Sequence, residues 1–347
     1  MSNYQAITEL NPQGRFISVV STPSKIMVVD DQPLSLLHAV DLISYEGYQV
    51  IKSSNSCEVL ELAFSQQPDV ILMDIVMPER DGLELAKILK LQPQTKSIPI
   101  VLMSVVEDLD LWQKALKIGV EEIILKPLNH NSLSPKLKIL AQQKRLNEGL
   151  DQTKKVLLSL AMAIEARSLN TNKSLLKLAN LAMNFAQYLG LSDQNIEDLV
   201  LAAYLHDIGT VNISEQILSK KTQLTYAEKE IIHQHVIIGE QICQPLSNQP
   251  NLLAIIRHHH EKWDGSGYPD QLVGENIPYL AQIFQMIDIY DALTNERIYK
   301  PAYNQEDSLA IMEQEVLKGW RNPVLFAQFK NFILFDTHRL ISVGACV

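Results

Sequence analysis

Cysteine is scarce in this 347-residue chain: Cys57, Cys243 and Cys346 are the full set, odd in number and far apart. That excludes a disulfide framework and fits a reducing compartment. Basic residues are outnumbered, with 30 Lys and Arg against 40 Asp and Glu, and neither half of the chain holds a basic surplus. A general nucleic-acid binder needs that surplus, so no DNA partner is expected. No apolar run approaches the ~20 residues of a membrane span, and the N-terminus lacks a signal-peptide pattern. A cytoplasmic protein with no membrane span is expected. What is present is an ordinary globular balance, 46% apolar and 20% charged, which argues against disorder or a fibrous repeat. At roughly 100–200 residues per domain, the length suggests two or three domains.

Residues 1–24 are polar, with Pro12, Gly14 and Pro23 and no sustained period, and read as a flexible tail. From Lys25, short β-branched runs alternate with helical patterns. The runs are Ile26–Val29, Tyr48–Ile51, Val70–Met73, Ile100–Met103 and Glu122–Leu125, with periodic stretches such as Leu34 to Ile43 and Leu83 to Leu91 between them. Five apolar strands separated by helices imply an α/β doubly wound parallel sheet, covered on both faces, whose ligands sit at the carboxyl ends of the strands. This first domain spans 25–130. Residues 131–168 read as one long helix or two joined ones, with a phase slip near 140–146 among the leucines. The stretch 131–155 is a linker helix, serving either as a connector or as a dimerising signalling helix. Past Val156 no strand signal persists, so 156–335 is expected to be an all-α domain and 336–347 a C-terminal tail.

Asp30 and Asp31 follow the first strand, Asp74 the third, Ser104 the fourth and Lys126-Pro127 the fifth. All therefore fall at one rim of the sheet. Three carboxylates there repel one another unless a cation lies between them, and oxygen-only ligands suit Mg²⁺. A carboxylate beside Mg²⁺ and Lys126 can accept a phosphoryl group as an acyl phosphate. Any one of these residues alone reads as a helix cap or a surface charge; the set at matching strand ends, with Met77-Pro78 and Asp81-Gly82 after Asp74, does not. Over about residues 25–141 the segment resembles the response-regulator receiver family. The resemblance implies Asp74 as phospho-acceptor, Asp30 and Asp31 as metal carboxylates, Ser104 as the hydroxyl that moves to meet the phosphate and Lys126 as its cationic partner. It also implies a sensor histidine kinase or phosphotransfer protein as partner. The family's usual aromatic switch residue is Ile123 here.

Six of the nine histidines lie between 206 and 260: His206-Asp207, His233, His235 and His258-His259-His260. Asp288 and Asp291 follow, three apart on one helical face. Imidazole with carboxylate suits Fe, Mn, Ni or Zn, and the long spacings fit a site assembled from several helices. An Asp next to a ligating His can bridge two metals, which would stabilise both oxygens of an in-line phosphoryl displacement and generate hydroxide near neutral pH. His38, His130, His233 and His338 read as ordinary surface or core histidines, and His258 is ambiguous. His206-Asp207 inside an apolar run needs partners if buried.

The run His259-His260-Glu261-Lys262-Trp263-Asp264-Gly265-Ser266-Gly267-Tyr268-Pro269 resembles the HD-GYP family, a branch of the HD metal-dependent phosphohydrolases. So do His206-Asp207-Ile208-Gly209, His235-Val236-Ile237-Ile238-Gly239 and Asp288-Ile289-Tyr290-Asp291-Ala292-Leu293-Thr294. The likeness covers about residues 155–335 and implies hydrolysis of cyclic di-GMP. It carries ligand roles for one or two transition metals onto His206, Asp207, His235, His259, His260 and Asp288, with Asp207 bridging. It makes Arg297 the contact to substrate phosphate, where bidentate geometry favours arginine, and Gly267, Tyr268 and Pro269 the loop shaping the site. The sequence departs from the family pattern at Ser174, where a histidine ligand is usual, at Asn170, at Thr210 and at Arg167-Ser168. The expectation is a response regulator whose receiver controls a cyclic di-GMP phosphodiesterase of weakened activity, working as a homodimer if the linker helices pair. Its rivals are an output that binds nucleotide or a partner protein without turnover, and a hydrolase of another cyclic dinucleotide.

Overall fold

A computed structural model of the chain describes residues 7–10, 16–19, 22–167, 173–220, 222–296 and 301–335. Within the segment read as a flexible tail, β1 (Ile7–Leu10) and β2 (Phe16–Val19) pair antiparallel. The chain then divides into two compact units, residues 1–149 and 150–347.

The first unit alternates strand and helix. In order, β3 (Lys25–Val29), α1 (Pro33–Tyr45), β4 (Gln49–Ser53), α2 (Val59–Gln66) and β5 (Val70–Asp74) lead into α3 (Gly82–Leu91). Next come β6 (Ile100–Ser104), α4 (Leu109–Ile118), β7 (Glu122–Leu125) and α5 (His130–Arg167). The sheet is all parallel, in the order β4-β3-β5-β6-β7, which is the doubly wound arrangement expected from the sequence. Strand period 2 sorts the side chains. Met27, Val29, Ile71, Met73, Ile100, Leu102 and Ile123 pack on one face with Val59, Ala63, Leu85, Leu89 and Ala115 of α2, α3 and α4. Ile26, Val28, Val70, Leu72, Val101, Met103 and Ile124 pack on the other with Ala39 and Ile43 of α1 and Leu133, Leu137 and Ala141 of α5. Each fully buried aliphatic side chain contributes about 1.5–3 kcal/mol relative to exposure, so register is set by two faces at once. Asp81 and Asp108 cap α3 and α4 by accepting from Leu83 and Asp110 backbone amides at 2.8 and 2.9 Å, satisfying donors that the first helical turn leaves unpaired.

The second unit is helical. It comprises the end of α5, α6 (Lys173–Tyr188), α7 (Asp193–Leu205), α8 (Glu215–Leu218), α9 (Tyr226–His233) and α10 (His235–Cys243). It continues through α11 (Pro250–His258), α12 (Tyr279–Thr294), α13 (Gln305–Leu317) and α14 (Pro323–Phe335). Its core holds Leu157 and Ala161 of α5, Phe185 of α6, Leu199 and Ala202 of α7, Ile256 of α11, Phe284 and Ile287 of α12, and Phe329 and Phe332 of α14. Phe185 meets Phe329 edge-on with ring centroids 4.9 Å apart, a favoured aromatic geometry. Among the described residues no helix is long and apolar enough to cross a membrane.

Candidate functional site

At the carboxyl rim of the parallel sheet, Asp30 and Asp74 are buried and both meet Lys126, whose Nζ donates to Asp30 Oδ2 at 2.7 Å and Asp74 Oδ2 at 2.6 Å. Ser35 and the amide of Gln32 also donate to Asp30, at 2.5 and 2.9 Å. Burial raises the Asp74 carboxyl above its usual value against the pull of Lys126. Burial works against the Lys126 ammonium, but Asp30 and Asp74 outweigh it and raise its pKa. Asp30, Asp31 and Asp74 each offer a carboxylate oxygen, all within 4.8 Å of one another. Asp31 Oδ1 is buried with no hydrogen-bond partner. A buried orphan acceptor beside two more carboxylates fits a hard divalent cation. Ser104 Oγ donates to Val106 O at 2.8 Å, within the turn that leaves β6. Ile123, at the position of the usual aromatic switch, is buried in the core.

In the second unit the motif glycines explain how distant histidines converge. His206 ends α7, and Ile208–Asn212 form one 3₁₀ turn. A Cβ on Gly209 would lie 2.0 Å from His235 O and 2.6 Å from Gly239 N. Only glycine lets that turn lie on the start of α10. A Cβ on Gly267 would lie 2.2 Å from Lys262 N, so the loop after α11 folds back on its own base for the same reason.

The histidines are oriented from behind. His206 Nδ1 lies 3.2 Å from Ala202 O, His235 Nδ1 2.7 Å from Ile232 O, and His259 Nδ1 2.9 Å from Ile256 O. Those carbonyls fix a ring proton on Nδ1 and turn each Nε2 toward the cluster. The Nε2 atoms of His235 and His259 then face one another at 3.5 Å. Asp207 reaches the same space, its two oxygens 3.3 Å from His206 Nε2 and 3.4 Å from His235 Nε2. His206 Nε2 is 3.9 Å from Asp288 Oδ1. Asp207, His235, His259 and His260 each place a ligand atom within 4.8 Å of the others. Two lone pairs facing each other beside a carboxylate fit a transition-metal cation.

The charges of Asp207, His259 and His260 agree with that donor set. Desolvation would raise Asp207, but the imidazoles of His206, His235 and His259 outweigh it and hold the carboxyl well below the usual range. Burial and neighbouring imidazoles push His259 far down and His260 down to about 3. Burial opposes the His206 imidazolium, yet Asp207 and Asp288 push it up to about 9.

Arg257, Asp270 and Glu240 were given no role by the sequence. His258 turns away from the cluster and meets Asp270 Oδ2 at 2.9 Å. Arg257 grips the same carboxylate through Nε and Nη2 at 2.7 and 2.8 Å and reaches Glu240 at 2.5 Å. Glu261, fully buried, accepts the amides of Asp270 and Leu272 at 2.7 and 3.1 Å. His233, read as an ordinary histidine, lies flat on Tyr268 with centroids 3.8 Å apart. Tyr268 and Pro269 belong to the loop so pinned. Thr210 Oγ1 donates to Asp207 O at 2.7 Å. Arg297, Asn170, Ser168 and His338, and the side chains of Arg167 and Ser174, lie outside the described residues.

Two family models match the chain, one described as a response regulator receiver domain over residues 26–138 and one as an HD domain over 136–323. The chain is 32% identical to the cyclic di-GMP phosphodiesterase response regulator RpfG of Xanthomonas campestris pv. campestris, over 90% of this chain and 89% of that protein. It is 31% identical to a probable cyclic di-GMP phosphodiesterase of Vibrio cholerae, over 83% of this chain and 73% of that protein. It is also 35% identical to the 3'3'-cGAMP-specific phosphodiesterase 2 of Vibrio cholerae, over 45% of this chain and 30% of that protein.

Proposed function

The chain belongs to the response regulators that join a receiver domain to an HD-GYP output domain, and on that premise we propose that it hydrolyses cyclic di-GMP under the control of phosphorylation at Asp74. The observation that carries the catalytic half is the pair of Nε2 lone pairs on His235 and His259, 3.5 Å apart beside Asp207. Asp207, His235, His259 and His260 would hold one metal, and His206, Asp207 and Asp288 would hold another. Fe, Mn, Ni or Zn bound there supplies positive charge to a phosphodiester and acidifies water. The protein's part is to aim these imidazoles, to keep His259 and His260 neutral, to bring Asp207 between the two groups, and to bind substrate phosphate through Arg297. In the receiver, Asp30 and Asp31 hold Mg²⁺, and Asp74 takes phosphate from a histidine kinase or phosphotransfer protein, with Lys126 meeting the new charge.

Turnover is slow in this reading, because Ser174 offers a hydroxyl where the family pattern implies an imidazole. Loss even of a group that only orients a ligand costs about 10–100-fold in affinity or activity. The test is purified full-length protein incubated with cyclic di-GMP, with metal content measured on the same sample. Ser174→His should raise metal occupancy and rate together. Binding without turnover in both proteins would leave a purely binding output. The identity with a 3'3'-cGAMP-specific phosphodiesterase favours a second reading, another cyclic dinucleotide, and competition between the two nucleotides in the same assay decides it.

A further inference from the structure

The loop that carries Tyr268 is held by contacts outside the tyrosine side chain. Glu261 takes the Asp270 and Leu272 amides, Arg257 and His258 hold the Asp270 carboxylate, and the Tyr268 amide donates to His260 O at 3.3 Å. What those contacts leave free is the rotation of the phenol ring about its own side-chain bonds. Three histidines lie around that ring, and His235 of α10 meets it edge-on at 6.4 Å. His260, at the end of the α11 turn, lies 4.9 Å from it at an interplanar angle of 34°. His233, the last residue of α9, stacks on the ring at 3.8 Å and 15°. His233 is two residues from His235, with Gln234 as the break between α9 and α10. That break lets one histidine join the ligand cluster while the other stacks on the tyrosine. The remaining ion-pair contact of His233 is with Glu230 on its own helix, 3.5 Å away.

We infer that His233 is a positioning residue: it presses the Tyr268 phenol into one orientation over the histidine cluster, so that the phenol meets a bound phosphodiester as a preset hydrogen-bond donor. The inference rests on the phosphodiesterase reading for the identity of the ligand, but not for the stacking. Fixing a donor before substrate arrives removes a cost that binding would otherwise carry. Stacked aromatic pairs of this kind are worth roughly threefold to tenfold in an equilibrium, which sets the scale of the effect.

The test uses full-length, metal-loaded protein with ring-labelled tyrosine, and Tyr268→Phe assigns the Tyr268 signal. In His233→Ala the Tyr268 ring resonance should lose its stacking shift. The kcat/KM for cyclic di-GMP should fall about tenfold at unchanged melting temperature and metal content. His233→Phe, which can stack but not ion-pair, should restore both. In a Tyr268→Phe background, His233→Ala should cost nothing more. An unmoved Tyr268 resonance in His233→Ala would overturn the inference, and so would an equal loss of rate with and without the Tyr268 hydroxyl. If the natural protein has no turnover, the phosphodiesterase reading fails, and the ring resonance alone still decides whether His233 positions Tyr268.

Discussion

Asp270 is the residue on which the glycine-tyrosine-proline loop is hung, and its ionisation can be read. The Arg257 guanidinium beside it, with His258, outweighs burial and holds its carboxyl down at about 2. A folded-state pKa below the unfolded value means stability that is present above about pH 4 and lost as pH falls through about 2. The Asp270 side chain is 34% exposed, so solvent screening keeps the effect small, within about 1 kcal/mol. Comparing the protein with Asp270→Asn by urea unfolding should show the full stability gap at pH 6 and a smaller one at pH 3. A gap that widens on acidification would contradict the assignment. The sequence offered no hint of this pairing. Arg257 and Asp270 are ordinary surface types, thirteen positions apart across a loop whose path nothing local dictates. His206, His235 and His259 were legible, because imidazole and carboxylate repeated among apolar residues demand an explanation before any fold is known.

At the scale of elements, the five strands were legible because each apolar run is both β-branched and buried on two faces, so pattern and environment agree. The rim residues were legible for the same reason, since they fall where those runs stop. The contact of the Ile208–Asn212 turn with α10 was not. Gly209 and Gly239 stand in the motifs, but the reason for glycine is a close approach between segments thirty residues apart. With a Cβ on Gly209 set to collide with His235 O at 2.0 Å, the turn and α10 must separate, and His206 and Asp207 move away from His235. Gly209→Ala should therefore weaken metal binding at least tenfold and lower the melting temperature. Gly149→Ala is the control, since a Cβ there meets nothing within 4 Å, and it should leave metal binding unchanged. Metal titration of the two variants side by side is the measurement, and equal affinity would show that the approach is slack rather than required.

At the scale of the whole molecule, residues 131–168 were read as one long helix or two joined ones, and α5 is one helix of 38 residues, His130–Arg167, with Pro135 in its first turns. The slip in its leucine phase has a physical source. Leu133, Leu137 and Ala141 serve one core and Leu157 and Ala161 the other, so the buried side of the helix is set twice. Neither core uses a third row, Ile139, Leu146, Val156 and Leu160, which remain 63%, 69%, 57% and 38% exposed. Those positions step by seven, ten and four residues, the spacing of a coiled-coil seam with an average period of 3.5. An exposed apolar row at that period is best covered by the same row on a second copy, which closes under two-fold symmetry. Light scattering at tens of micromolar should give twice the mass of 39.2 kDa, with the larger fraction paired when a phosphate mimic is bound to Asp74. Leu146→Lys, at the centre of the row and in neither core, should return the protein to a monomer while leaving its melting temperature within a few degrees. A monomer with and without the mimic would end this reading of α5 and leave the row as a solvated helix face.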